Sequence, residues 1–208
     1  QQSVNSQMAS VLPPLADIHG SESGSTSPLA TTLSILFEHS PILVTLLEPQ
    51  LHQILKSRPV SSYGGLIDLS LQEISKWEIP EQSEFISGHP RIGESSNLSK
   101  LSASEQGAQG VKPTPPEVLK RLEHLNAAYE IRYPGLRYIT FVNGRSRAAI
   151  AEEMEDKLGW AHSLEAESPP LESVQPVEEE EEWLAELRRA VEDVGRIAKS
   201  RLISLGVA

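Results

Sequence analysis

Only one stretch of this chain has the branched and aromatic run expected of a β-strand: Tyr138-Ile139-Thr140-Phe141-Val142. A lone strand cannot build a sheet, because its peptide groups have no ladder partner. The stretch therefore reads as an extended connector over 138–143. Pro134-Gly135 precedes it, Asn143-Gly144 turns the chain after it, and its peptide groups are left to bind something.

The periodic segments elsewhere predict helices. Thr31 to Phe37 is a short one. A second runs from Pro41 to about Lys56, with Pro49 bending or interrupting it. A third covers Gly64 to Trp77, with Leu66, Leu69, Ile74 and Trp77 facing inward. Thr114-Pro115-Pro116-Glu117 combines an N-cap, prolines in the first turn and a capping-box glutamate. That helix extends to about Tyr133 on a stripe of Val118, Leu122, Leu125 and Tyr129. His124 falls opposite the stripe and is expected in solvent; Asn126 lies beside it. Ser146 caps the next helix, with Ile150, Met154 and Leu158 inside. The last runs from about Glu180 to Leu205 on Leu187, Val191, Val194, Ile197 and Ala198. Arg188, Arg189, Arg196 and Lys199 fall off that stripe and are expected to be solvated or snorkelling.

Two segments are poor in large apolar groups. Residues 1–28 read as a mobile tail, with Val11, Leu12 and Leu15 as the side chains through which it could dock. Residues 159–182 hold eight carboxylates and no Lys or Arg, and read as a solvated acidic linker. Together with a formal net charge of −11, this leaves no basic footprint for nucleic acid. No apolar run is long enough to span a bilayer. The chain has no cysteine, which removes disulfides, thiolate metal sites and a cysteine nucleophile.

Three side chains stand out chemically. His89 lies in Gly88-His89-Pro90-Arg91-Ile92-Gly93, where Pro90 biases it to an extended backbone and both glycines permit bends. Imidazole exchanges protons near neutrality, so His89 is either an acid–base group or a hydrogen-bonded structural histidine. Glu105 closes Ser102-Ala103-Ser104-Glu105, a capping box by pattern, and is either a helix cap or a reactive carboxylate. Arg201 sits between Val194 and Ala198 on the buried side of the last helix. A cation there needs an anion, either an internal carboxylate or that of a ligand.

These pieces occur in an order that resembles the 2-oxo-4-hydroxy-4-carboxy-5-ureidoimidazoline (OHCU) decarboxylase family. The matching stretches are Phe37-Glu38-His39-Ser40-Pro41, His89-Pro90-Arg91-Ile92-Gly93 and Ser102-x-x-Glu105-Gln106. They continue with Leu125-Asn126-x-x-Tyr129, Tyr138-Ile139 through Gly144-Arg145-Ser146, and Arg196-Ile197-Ala198-x-x-Arg201-Leu202. The resemblance covers about 29–158 and 183–205. It implies an all-α, single-domain multi-helix bundle over 29–208, interrupted by the linker at 159–182.

It further implies a decarboxylase that forms (S)-allantoin from the ureidoimidazoline carboxylate in urate degradation, with no metal, no organic cofactor and usually a homodimer. The acid–base role passes to His89, the catalytic glutamate to Glu105 and the carboxylate-contacting arginine to Arg201. Pro90, Ser102, Gln106 and the backbone of Ile139, Thr140, Phe141, Val142 and Asn143 match substrate contacts. The acidic segment is longer than the family's usual connection and is expected to loop outward. The chain ends Gly206-Val207-Ala208 rather than in a peroxisomal Ser-Lys-Leu-like tripeptide, so a cytoplasmic location is expected. A catalytically silent helical interaction module of the same fold is the competing reading.

Overall fold

The computed structural model describes residues 11–94, 113–163 and 165–207. Among these residues the regular structure is entirely helical. The chain divides into two compact units, Gln1–Gly88 with Val191–Ala208, and His89–Ala190.

The first unit contains α1 (Leu15–Gly20), α2 (Pro28–Phe37), α3 (Glu48–Leu55), α4 (Tyr63–Ile74) and α5 (Ile79–Ile86). It also takes in the later part of α8 (Glu180–Ser204). Ser27 caps α2 by accepting from the Ala30 N–H, and Pro28 occupies the first turn, where no N–H is needed. Pro49 does not break the second expected helix. The chain instead widens into a π turn over Leu43–Leu47 that leads directly into α3. Proline offers no N–H and crowds the carbonyl four residues earlier, and a widened turn relieves that crowding without ending the helix. On α8, a Cβ at Gly195 would lie 2.5 Å from Leu71 Cδ1, so any larger residue there would have to displace the Leu71 side chain of α4.

Residues 11–28 are packed rather than mobile. Leu12 and Ile18 are buried. Tyr63 donates its hydroxyl proton to the Pro13 carbonyl at 2.8 Å, and the Val60 N–H donates to His19 Nε2 at 3.1 Å. Buried Glu48 accepts from the Ser23 hydroxyl, the Gly24 N–H and the Ser27 hydroxyl. The serines and glycine that suggested a solvated tail are the donors that satisfy a buried carboxylate. Helix α5 has no counterpart in the sequence reading. It is short, has Pro80 in its first turn and buries Gln82, Phe85 and Ile86, with Phe85 meeting the edges of Phe37 and Trp77.

The second unit contains α6 (Pro116–Arg132), α7 (Arg147–Leu158), a 3-10 turn at Leu171–Ser173 and the start of α8. Helix α6 buries Val118, Leu122, Leu125 and Tyr129 as its stripe predicts. Its N-cap is Pro115, not Thr114; the Thr114 hydroxyl instead accepts from Arg147 Nη1 at 3.1 Å. Ser146 caps α7 through the Ala149 N–H, and left-handed Gly159 ends it.

The expected outward loop at 159–182 lies against α6. Buried Arg121 pairs with buried Glu155 at 2.8 Å and donates through Nη1 to the carbonyls of Glu165, at 2.7 Å, and Ser168. His124, expected in solvent, is buried, with Nε2 2.6 Å from the Pro169 carbonyl and its ring beside Trp160. Further along, the Val177 N–H donates to the Arg132 carbonyl at 2.9 Å. The flank of α6 beside its apolar stripe, with Arg121 and His124, therefore carries donors that hold this segment by its main chain.

Candidate active site

The His89–Glu94 bend opens the second unit. Ile92 is buried, and its carbonyl accepts from Asn126 Nδ2 at 3.0 Å. That bond accounts for the polar residue beside the apolar stripe of α6. Arg91 grips Glu130 with two parallel bonds, Nε to Oε2 at 3.0 Å and Nη2 to Oε1 at 2.9 Å. The Arg91 N–H donates to Glu94, and the Glu94 N–H returns to the Arg91 carbonyl, closing a tight turn. Gly93 has φ 86°, and a Cβ there would come within 3.1 Å of Leu122 Cδ1. The positive φ favours glycine, and any larger residue would also have to shift the Leu122 side chain. A cavity of about 550 Å³ adjoins this turn, bordered by Arg91, Gly93, Lys120, Asn126 and Glu130; His89 does not line it.

The result of this bracing is that His89 is held at 3% exposure, inside the unit rather than on a surface loop. Its carbonyl accepts from Arg137 Nη1 at 2.6 Å. Arg137 immediately precedes Tyr138, so the bend carrying the imidazole and the start of the connector are tied together. Burial lowers the Arg137 pKa, and the nearby Arg91 charge adds to the effect against the opposing Glu130 and Glu94.

The connector is extended, as its sequence suggests, and Tyr138, Ile139, Thr140 and Val142 are buried. Two carboxylate–arginine sets brace it. On α7, Glu153 accepts from the Tyr138 hydroxyl, from the Thr140 hydroxyl at 2.7 Å and from Arg145 Nη1. On α8, Glu186 takes Arg189, the Tyr129 hydroxyl at 2.7 Å and Lys157 at 3.0 Å. Arg189 also reaches the Ile139 carbonyl at 2.8 Å and lies over the Tyr138 ring. Burial acts to raise the pKa of both glutamates. The hydrogen bonds and positive charge delivered to each outweigh burial and hold both below the ordinary carboxylate value. Both therefore stay ionised near neutrality.

Arg189 was expected off the buried stripe; its side chain is only 27% exposed. The signal available in the sequence was the i,i+3 spacing of Glu186 and Arg189. Arg137 and Glu153 carried no comparable signal, because their partners are distant in sequence. Arg188 and Lys199, by contrast, are exposed as expected.

Arg201 belongs to the first unit. It is 1% exposed and donates to the Ile35 carbonyl at 2.8 Å and to Glu38 Oε1 at 2.6 Å. Of the two anions the sequence allowed, an internal carboxylate is thus present. Glu38 occupies φ 64°, ψ 148° just after α2, a conformation costly for any residue but glycine. Ser102, Glu105 and Gln106 lie outside the described residues.

Comparison with known proteins adds three findings. The OHCU decarboxylase family model matches residues 23–169, a range that contains His89 and the connector and stops short of Arg201. A 2-oxo-4-hydroxy-4-carboxy-5-ureidoimidazoline decarboxylase of Halalkalicoccus jeotgali is 28% identical over 108 residues, which is 52% of this chain and 61% of that protein. A crystal structure of an (S)-allantoin synthase is similar in fold, with a TM-score of 0.55 and 18% identity, over 93% of this chain and 54% of that one. The chain therefore spans little more than half the length of each of these relatives.

Proposed function

The chain belongs to the OHCU decarboxylase family, and from that premise we propose that it converts 2-oxo-4-hydroxy-4-carboxy-5-ureidoimidazoline to (S)-allantoin, with His89 as the acid–base group. The observation that carries the assignment of His89 is its setting. The imidazole of the family motif is buried on a braced bend, and its carbonyl is tied to the residue that begins the connector.

The chemistry suits these residues. The bond from the ring carbon to the carboxylate breaks, and carbon dioxide leaves. The electron pair passes into the adjacent unsaturated ring position. The carbon that lost the carboxylate gives up its hydroxyl proton and becomes a carbonyl. A proton must then reach one face of the neighbouring carbon that bears the ureido group, because a single enantiomer is formed. His89 delivers or relays that proton, an effect worth roughly 10²–10⁴-fold. Glu105 holds the imidazole or a substrate hydroxyl, and Ser102, Pro90 and Gln106 complete the contacts. The connector backbone from Ile139 to Asn143 faces the ring amides and the ureido group. Arg201 contacts the substrate carboxylate in addition to Glu38. The enzyme works without metal or organic cofactor, as a cytoplasmic homodimer.

The deciding experiment generates the substrate from urate with the two upstream enzymes and follows circular dichroism. Spontaneous decay gives racemic allantoin. An optically active product and a faster decay are expected when this protein is added. A racemic product at an unchanged rate would leave a silent helical module.

A further inference from the structure

Helix α2 runs into a strained residue. Glu38 follows Phe37 with φ 64° and ψ 148°, a region open almost only to glycine. Glu38 is buried, and its Oε1 accepts from Arg201 Nη2 at 2.6 Å. Arg201 Nη1 donates to carbonyls in the last turn of α2, those of Ile35 at 2.8 Å and Leu36 at 3.3 Å. Carbonyls at a helix C-terminus lack partners within the helix, so they already draw a cation to this end. Glu38 adds a second hold. With Nη1 fixed by the helix and Nη2 by the carboxylate, the guanidinium plane is kept from turning.

The corner that carries Glu38 is itself clamped. Ser40 is buried, and a Cβ at Gly88 would lie 3.0 Å from Ser40 Cβ. The Leu43 N–H donates to the Ser40 carbonyl at 3.1 Å. All of these residues belong to the first unit. Strained backbone persists where its surroundings over-determine it, and it clusters where function needs it. Glycine at position 38 would take this backbone without strain but would bring no carboxylate.

We propose that Glu38 is a positioning residue, which sets the direction in which Arg201 presents its guanidinium to the substrate carboxylate. The proposal rests on the decarboxylase reading for the identity of the ligand. Glu38 already offsets the charge of Arg201. Selection of a carboxylate then depends on the aim of the planar fork more than on bare charge. The reach of the residue at position 38 therefore matters as well as its sign.

The test uses the full chain and two probes, an imidazolidinone carboxylate and (S)-allantoin. Both are cyclic ureas, and only the first carries a carboxylate. Their affinities are measured with turnover and melting temperature. Glu38→Gly relieves the backbone and removes the anion. Glu38→Asp keeps the anion but retracts it by one methylene, and it guards against a folding defect in the glycine variant. Each variant should bind the carboxylate probe about tenfold more weakly, the loss of one well-made hydrogen bond. Each should raise KM to a similar extent, with kcat changing much less, and should bind allantoin like wild type. Equal weakening for both probes would overturn the proposal, because Glu38 would then support the whole site and not the aim of Arg201. Wild-type carboxylate affinity in the aspartate variant would also overturn it and leave Glu38 a counter-charge. In either case wild-type turnover would keep the decarboxylase reading intact. Selective loss of the carboxylate probe without wild-type turnover would keep the positioning of Arg201 and remove the decarboxylase reading. Neither turnover nor binding in wild type would remove both.

Discussion

Arg137 donates to the main-chain carbonyl of His89 at 2.6 Å, so the residue before the connector fixes the backbone of the proposed acid–base group. Its effect on rate should pass through that histidine. Arg137→Gln is expected to lower kcat by about tenfold, because a misplacement of an ångström or less is felt in proton transfer. In a His89→Asn background the same change should cost almost nothing further. Additive losses in a double-mutant cycle would show that Arg137 acts independently.

His89→Asn should fold normally and lose at least about 10²-fold in turnover, the lower end for general acid–base catalysis. His39 provides the control. It is exposed, with a long 3.4 Å contact to Ser34 among the described residues, so His39→Asn should move neither rate nor melting temperature. A rate loss confined to the His39 variant would transfer the role.

Arg201 has both a structural and a proposed binding task. Lysine cannot hold Glu38 and the Ile35 and Leu36 carbonyls at once. Arg201→Lys should therefore reduce unfolding free energy by about 1–3 kcal/mol, the cost of unsatisfied buried groups. If Arg201 also contacts the substrate carboxylate, the folded variant should bind a competitive carboxylate inhibitor more weakly. A destabilised variant with wild-type inhibitor affinity would confine Arg201 to the Glu38 pair.

Deleting 162–179 and closing the gap with glycines would remove the carbonyls that Arg121 and His124 engage. Loop shortening alone costs stability only slowly. Leaving buried donors without acceptors costs about 1–3 kcal/mol each. The melting temperature should fall clearly, while turnover at a temperature where the variant is folded should hold. An unchanged melting temperature would mean that water replaces these contacts freely.

Glu186 sets an acid limit. Its folded pKa is depressed, so its contribution to stability is complete above the ordinary value of 4.5 and is lost as pH falls through the lower folded value. Wild type should therefore lose more stability than Glu186→Gln between pH 6 and about pH 3. Parallel losses in the two proteins would place the acid sensitivity elsewhere.

The sequence made most helices legible because their stripes and caps are local. Ser146 caps α7, and Val118, Leu122, Leu125 and Tyr129 are buried as their spacing requires. Helix α5 was not, since eight residues around one proline give too little periodicity. The isolated connector was recognisable because its composition has no parallel in the chain. What braces it was not: the Glu186 and Arg189 pair is local, but Arg189 reaches the Ile139 carbonyl across 50 residues, and Glu153 meets Tyr138 and Thr140 only through the fold. Residues 11–28, read as mobile, and 159–182, read as a solvated linker, pack for one reason. Polar composition says whether a segment can bury apolar surface, but not whether a buried carboxylate or guanidinium elsewhere needs its donors and carbonyls. Glu48 and Arg121 have that need.

Arg121 and His124 grip the acidic stretch through the carbonyls of Glu165, Ser168 and Pro169. Carbonyls are common to every residue, so this hold reads the path of the chain and not its spelling. Exchange of the glutamates at 165, 167 and 172 is expected to leave it intact, because the hold uses carbonyls and not their side chains. The stretch is thereby a place where surface charge can be rewritten, or a short peptide tag exchanged for native side chains, while the backbone keeps its course across α6.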